Sequence, residues 1–386
     1  MYSTTKERAL ATLITQGPMH RADLARALSV SRTTVTNLTQ ELMSDGVVGS
    51  DTGTPLKAKI WVSPAAGVLV SVVFRLRRTV VAVGSVDGRE LTMLESAQQP
   101  ADRGVGRLAS ARRLTAELLE TAGHPRVLAA HVAVNTQIDV RTGEVVGGEA
   151  SRMWTGVNPL TALQETLGAP VAVENTARLF ALTEHLAQTG GPSRNLLYVH
   201  ISHGIAMGQI LRGSIVQGSH GGAGELGHMS IDLDGLPCEC ANRGCLMQYV
   251  DEKAVLIRAQ AILGPDATLD DLLAEAHSGS RACRSLIGDV GTVLGRALVG
   301  VCHLLDPDVI VVGGTLARAG ELLVDPVRRV LIQRALPLNA RGLVVTSSAN
   351  PTPHRTVVAA GLHTLRSDTE RVEAMVRAIS GVSAPH

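Results

Sequence analysis

Four metal-binding side chains crowd into eighteen residues of this chain: His228, Cys238, Cys240 and Cys245, spaced His-x9-Cys-x-Cys-x4-Cys. Three thiolates and one imidazole match a closed tetrahedral zinc site, so the loop carrying them must fold back around a single point. All four positions are taken by protein, which leaves no place for an activated water, and the metal reads as structural zinc. Such binding is worth on the order of 10 kcal/mol in small peptides at neutral pH, enough to hold the surrounding loop rigid. The plainer alternative is three reduced cysteines in a glycine-rich loop beside an unrelated histidine. Five cysteines is an odd total, and their clustering suits metal ligation in a reducing compartment better than a disulfide framework. Cys283 and Cys302 have no such company and read as small buried hydrophobes.

At 386 residues and about 150 per domain, the chain should make two or three domains. Hydrophobic residues are 45% and charged ones 18%, a balance that argues against a largely disordered chain. Aromatics are only 2%, so the cores must be built from Val, Leu, Ile and Ala. Lys plus Arg (36) against Asp plus Glu (35) leaves +1, which excludes a globally basic polyanion binder. Any nucleic-acid contact must come from a local patch. No apolar run reaches the roughly 18 residues of a membrane span, and Met1 to Arg8 lacks the apolar segment of a signal peptide. The expected location is cytoplasmic, without a membrane partner.

The first sixty or so residues read as a separable module. Leu10, Leu13 and Ile14 recur at helical spacing between Glu7 and Gln16, and Gly17-Pro18 stops that helix. Leu24, Ala25 and Leu28 form one face of a second helix; after a turn at Ser29-Val30, Ser31 is a good N-cap for a third. The third carries an apolar stripe of Val35, Leu38 and Leu42, so Thr33, Thr36, Asn37 and Gln40 point away from it, with Arg32 on the flank. Val47-Val48 and Lys59 to Val62, bent through Asp51 to Pro55, read as a two-stranded wing. This is the plan of a winged helix-turn-helix, whose last helix enters the major groove of double-stranded DNA. Residues 1–62 hold seven basic and five acidic side chains, a bias of only +2, and a three-helix interaction domain without a DNA role is the alternative. As DNA contacts, Arg32, Lys57 and Lys59 suit phosphate or a guanine edge, and Asn37 suits adenine N6 and N7 as a bidentate pair.

Beyond Gly67 the texture changes. A strand-like run from Val68 to Val83, a turn at Asp87-Gly88, a helix from about Leu108 to Thr121 and a strand Val127 to Val134 follow in order. Next come strand Val171 to Val173, a helix opening near Asn175, strand Leu196 to Ile201 and Ile205 to Leu211. A helix-rich stretch from Gln248 to Leu304 ends in strand Val309 to Val312. Such alternation implies a pair of α/β domains.

Gly-Glu-Leu-Gly-His (224–228), the cysteine array, Val-Glu-Asn (173–175) and Asp-Pro-Asp-Val-Ile-Val-Val-Gly-Gly (306–314) together resemble the ROK family of sugar kinases and repressors. The helix-turn-helix places the chain with that family's transcriptional regulators. The resemblance implies an α/β fold in which a winged helix (1–63) precedes two actin-like ATPase lobes. The first lobe would span 64–174, joined by a C-terminal helix at about 365–386, and the second, with the zinc loop, 175–364. It also implies a homodimer or homotetramer on an inverted-repeat operator, and ligand-contacting roles for Asn175, Glu225 and His228. His228 would give one ring nitrogen to zinc and turn the other towards a sugar hydroxyl. The other reading of Glu225 is a carboxylate that holds the zinc loop by hydrogen bonds.

Where the chain departs from the family's kinases, it loses their chemistry. Their Asp-x-Gly-Gly-Thr-Lys turn aligns with Val73 at the aspartate and Arg75 and Leu76 at the glycines. Their Glu-Asn-Asp-Ala base is here Glu174-Asn175-Thr176-Ala177, and threonine cannot accept a proton near neutral pH. Their second phosphate turn, Gly-Thr-Gly-x-Gly, is Ser202-His203-Gly204-Ile205-Ala206. The glutamate two residues past the last zinc cysteine is Met247. Each lost charged hydrogen bond is worth roughly 1 to 3 kcal/mol, so either the effector is a different sugar or a sugar derivative rather than plain glucose, or the cleft is no longer an effector site. The expected function is a DNA-binding transcriptional regulator, a repressor and no enzyme. The alternatives are a sugar kinase with an unusual active site and a regulator controlled by a protein partner. The wing, too, has Gly53-Thr54-Pro55 in place of the family's Gly-Arg-Pro.

Overall fold

Capping residues and apolar spacing decide where the N-terminal helices start and stop. The computed structural model describes residues 2, 4–51, 58–88, 91–99, 102–146, 152–188, 194–348 and 353–381. Helix α1 (Thr5–Gln16) opens on a capping box between Thr4 and Glu7. Strand β1 (Met19–His20) leads to α2 (Arg21–Leu28), which ends at Ser29 in the left-handed region. Ser31 Oγ then accepts from the Thr34 amide at 3.0 Å and starts α3 (Arg32–Ser44). Strands β2 (Val48–Ser50) and β3 (Lys59–Val62) pair antiparallel, and β1 adds to the far side of β3. The bend Gly53-Thr54-Pro55 and Lys57 lie outside the described residues.

The first sheet contains β4 (Val68–Arg75), β5 (Arg78–Ser85), β6 (Leu91–Ala97), β7 (Val127–Val134) and β8 (Val171–Asn175), in the order β6-β5-β4-β7-β8. The strand-like run Val68 to Val83 is a hairpin that turns at Leu76-Arg77, where the family alignment puts the kinases' phosphate turn. Arg75, Arg77 and Arg78 fall together there, and three guanidinium groups cannot continue through a sheet interior. Helix Gly104–Thr121 buries Leu108, Ala111, Leu114 and Leu118 in a cluster with Val70, Val72 and Val81 of the sheet. The expected C-terminal helix from about 365 is instead two helices, Pro353–Ser367 and Thr369–Ser380. Asp368 breaks them apart by accepting from the Arg371 amide at 3.0 Å, as an N-cap does. Helix Thr369–Ser380 packs against α1, and Arg126 donates to its Ala378 carbonyl at 2.7 Å.

The second sheet repeats the strand order of the first. Its strands are β9 (Asn195–Ile201), β10 (Ile205–Leu211), β11 (Ser214–Ile215), β12 (Val309–Gly314) and β13 (Val344–Ser347), ordered β11-β10-β9-β12-β13. In each sheet a three-strand meander is followed by two strands entering on its other side, a repetition with no trace in the residue pattern. By contacts, Met1–Val146, Ala150–Glu174 and His354–His386 form one unit, and Asn175–Pro353 belongs to the other.

Helix Arg281–Leu305 is long and apolar enough to cross a bilayer, yet here it is a core helix, with Leu294, Leu298 and Cys302 buried. It lies close against helix Glu321–Arg334, because Gly291 faces the Leu323 carbonyl and Pro326, and Gly295 faces Val327 and Val330. A side chain at Gly291 would meet backbone. Gly291→Val should therefore cost about 1 to 3 kcal/mol by overpacking, read as a lower urea midpoint at unchanged slope; an unshifted midpoint would contradict this packing.

Candidate DNA head and effector site

On α3, Val35, Thr39 and Leu42 are buried, while Arg32, Thr33, Thr36, Asn37 and Gln40 are exposed. Leu38, expected in the apolar stripe, is only half-buried, and Thr39 takes the core position. Its hydroxyl donates to the Thr36 carbonyl and accepts from Arg21 Nε, both at 3.1 Å. Arg21 thus ties the start of α2 to the middle of α3. Lys6 on α1 reaches Glu41 at 3.1 Å and Asp45 at 3.2 Å, and the Glu41 hydrogen bond is the main cause of its raised pKa. The acids at the C-terminal end of α3 are thereby balanced from within the head. Arg26 pairs with Asp23. Arg32 on α3 and Lys59 on β3 remain as exposed cations with no acid partner among the described residues. Arg21 and Lys6 were not foreseen as parts of this face, since each acts on a residue 18 to 39 positions away.

The metal array comes together as its spacing suggests. The ligand atoms of His228, Cys238, Cys240 and Cys245 all lie within 4.8 Å of one another. His228 Nδ1 is 3.7 Å from Cys238 Sγ, and the sulfurs of Cys240 and Cys245 are 3.6 Å apart. A tetrahedron with zinc–sulfur bonds of about 2.3 Å has edges of about 3.8 Å, so the set fits zinc. The thiols compete for ionisation. Burial raises the Cys238 thiol, but hydrogen bonds from the Cys240 amide, the neighbouring thiols and His228 outweigh it and bring it to about 7. Cys245 is pushed up to about 12, first by burial and then by Cys240 and Cys238. A dication at the centre would remove that competition and hold every sulfur as a thiolate. Around the array, Ser230 Oγ donates to the Arg243 carbonyl at 2.8 Å and Arg243 Nη1 to the Gly235 carbonyl at 2.9 Å. Of the two ring nitrogens of His228, it is Nδ1 that lies beside the Cys238 sulfur.

Asn175, Glu225 and His228 sit on segments that the same strand draws together. Asn175 Oδ1 accepts from the Ala177 amide at 2.8 Å and so opens helix Thr176–Leu186. Gly208 of β10 lies directly on the Ala177 carbonyl, where no side chain would fit. The next residue back, Met207, donates its amide to Gly224 at 2.7 Å. Arg178 closes the arrangement, donating through Nη1 to the carbonyls of Gly221 (2.9 Å) and Ala223 (3.0 Å). Gly224 has φ +96° and directly precedes Glu225. Met247 is half-buried and packs on the apolar core of its unit.

The two hairpin turns carry no phosphate cradle. At the β4–β5 turn the guanidinium of Arg107, 1% exposed, gathers backbone carbonyls: Arg75 at 2.6 Å, Leu76 at 2.8 Å, Asp102 at 3.1 Å and Gln99 at 3.3 Å. At the β9–β10 turn, His203 Nδ1 lies 2.9 Å from Glu252, whose amide donates to the Ser202 carbonyl at 2.9 Å. Burial raises the Glu252 carboxyl, but His203 and the Thr315 hydroxyl outweigh it and hold it below the usual range. A carboxylate kept ionised at this turn repels a phosphate.

A model of the ROK family matches residues 90–358. The chain belongs to the ROK family. This ROK protein is similar to the xylose repressor of Caldicellulosiruptor bescii, 24% identical over 350 residues that cover 84% of this chain and 86% of that one. Among solved structures it resembles a ROK family transcriptional regulator described as a homolog of the E. coli MLC protein, with TM-score 0.76 at 22% identity, covering 98% and 99% of the two chains. It also resembles a ROK family glucokinase from Streptomyces griseus in complex with glucose and AMPPNP, with TM-score 0.64 at 23% identity, over 76% of this chain and 98% of that one. The ROK fold, a winged helix followed by two actin-like α/β lobes, is thereby shown.

Atomic emission on metal-replete protein should find one zinc per chain. Cys240→Ser should lose it and lower the thermal midpoint, whereas stoichiometric zinc in that variant would contradict the ligand set.

Proposed function

We propose that this ROK protein is a DNA-binding transcriptional repressor, acting from the cytoplasm as a homodimer or homotetramer on an inverted-repeat operator. The observation that carries this reading is α3, a helix anchored by Val35, Thr39 and Leu42 that turns Arg32, Thr33, Thr36, Asn37 and Gln40 outward. Its likeness to a xylose repressor over 84% of the chain supports the same reading. In this account Asn37 reads an adenine edge, while Arg32, Lys57 and Lys59 engage phosphate.

The ROK lobes serve as a sensor without catalysis. Asn175, Glu225 and His228 bind the hydroxyls of a sugar or sugar derivative, and Thr176, buried at the head of its helix, has no lone pair basic enough to take a proton. Structural zinc, held by His228, Cys238, Cys240 and Cys245, supplies rigidity and fixes the tautomer of His228. A ligand shifts operator affinity only by binding the DNA-competent arrangement more or less tightly than the other. Within the first unit, helix Thr369–Ser380 provides a route to the head, since it touches both α1 and β7. The glucokinase likeness keeps phosphoryl transfer as the second reading, and Thr176 and the carboxylate at the Ser202-His203-Gly204 turn weigh against it.

Gel shifts on fragments upstream of neighbouring genes, at rising salt, test the reading. Specific retention over random DNA is expected, and its absence would defeat the proposal. Asn37→Ala should weaken specific binding by about 1 to 3 kcal/mol with little effect on random DNA, and Lys59→Ala should reduce the salt slope by about 1. ATP turnover over a panel of hexoses and amino sugars should be nil; measurable phosphorylated sugar would favour the kinase.

A further inference from the structure

Away from the zinc loop, helix Arg281–Leu305 presents one polar stripe, and that stripe lines an open groove of about 450 Å³ with Arg329 on the opposite wall. Arg281, Arg284 and Arg329 share the groove with a single carboxylate, Asp289. Arg281 makes no hydrogen bond or ion pair with any described residue. Arg284 spends only Nε, on the Ala276 carbonyl at 2.8 Å, and Arg329 meets Asp325 only at 3.6 Å, also through Nε. Their terminal guanidinium nitrogens have no protein acceptor among the described residues.

All three arginines are exposed, so water screens their mutual repulsion, and an anion in the groove would lower it further. Arg281 and Arg284 occupy the first turn of a 25-residue helix that has no acidic residue there, where the positive end of the helix dipole disfavours cations. Asp289 stands about 12 Å along the axis from Arg281 and about 7.5 Å from Arg284 at 1.5 Å per residue, and already stabilises the charge of Arg258. The groove floor is kept open by Gly288, whose position has nothing nearer than Pro326 Cγ at 3.9 Å. Ser285 adds a hydroxyl at the same level.

We propose that this groove binds a phosphomonoester, its dianion held by Arg281, Arg284 and Arg329 with the Ser285 hydroxyl, and its organic part lying along Gly288. Guanidinium groups match phosphate oxygens in bidentate geometry, and a surplus of two positive charges suits one dianion. A larger acidic partner fits less well, because Glu321 and Asp325 stand on the facing helix. The site is independent of the sugar-contacting residues and gives the protein a second input, from a phosphorylated metabolite.

Calorimetric titration of the full chain at constant ionic strength tests it, with inorganic phosphate, glucose 6-phosphate and glucose as probes. Saturable binding of phosphate is expected, together with binding of glucose 6-phosphate in competition with it but not with glucose. The double variant R281Q/R329Q should weaken both anions at least tenfold while keeping its zinc content and melting temperature. Binding of phosphate alone, without competition by glucose 6-phosphate, would overturn the assignment to a phosphomonoester. No saturable binding of either anion, or equal binding by the double variant, would overturn the site. A loss of oligomer in the double variant, with no anion bound by the parent protein, would make the groove a contact between copies and overturn it as well.

Discussion

Three thiols and an imidazole held within 4.8 Å of one another cannot all ionise unaided, and a cation at their centre changes the balance for everything attached to them. Against its burial, hydrogen bonds from its neighbours lower the Cys238 thiol, while burial, and then Cys240 and Cys238, raise that of Cys245. A metal ion held there would favour every sulfur as a thiolate and stiffen the loop. His228 belongs both to this knot and to the turn that begins at Glu225, and Gly224 hooks that turn onto β10. The knot thus fixes His228 and Glu225 relative to the head of helix Thr176–Leu186, which Gly208 and Arg178 bring up to the same place.

The absence of a phosphate cradle gives that rigid site its meaning. A cradle depends on backbone amides converging on open space. Arg107 instead draws the carbonyls of the β4–β5 turn inward, and Glu252 sets a negative charge beside the β9–β10 turn. Each turn is occupied by an internal ion pair or cation-carbonyl contact of its own. In the proposed reading, recognition of hydroxyls by Asn175, Glu225 and His228 does not depend on either turn.

Much of this was legible in the chain, for reasons that differ by element. The metal set was readable because its ligands are close in sequence, and α3 because Ser31 and the Val35, Leu42 periodicity are local. Thr39 was misjudged because a hydroxyl satisfied by Arg21 and by its own helix can be buried as readily as a methyl group. The apolar periodicity of Val68 to Val83 does not show the β4–β5 hairpin, whose turn is marked by the arginines at its tip and by the alignment with the kinases' phosphate turn. Arg107 gave no signal at all, since its partners lie up to 32 residues away and are backbone carbonyls, which no side-chain pattern announces.

The central claim is that α3 reads a DNA sequence. Capture of genomic fragments by the full-length protein at physiological salt, followed by sequencing, tests it most directly. The account predicts a small set of fragments sharing an inverted repeat, with half-site centres about 10 base pairs apart or a multiple of that. Recovery in proportion to fragment abundance, with no shared sequence, would contradict it.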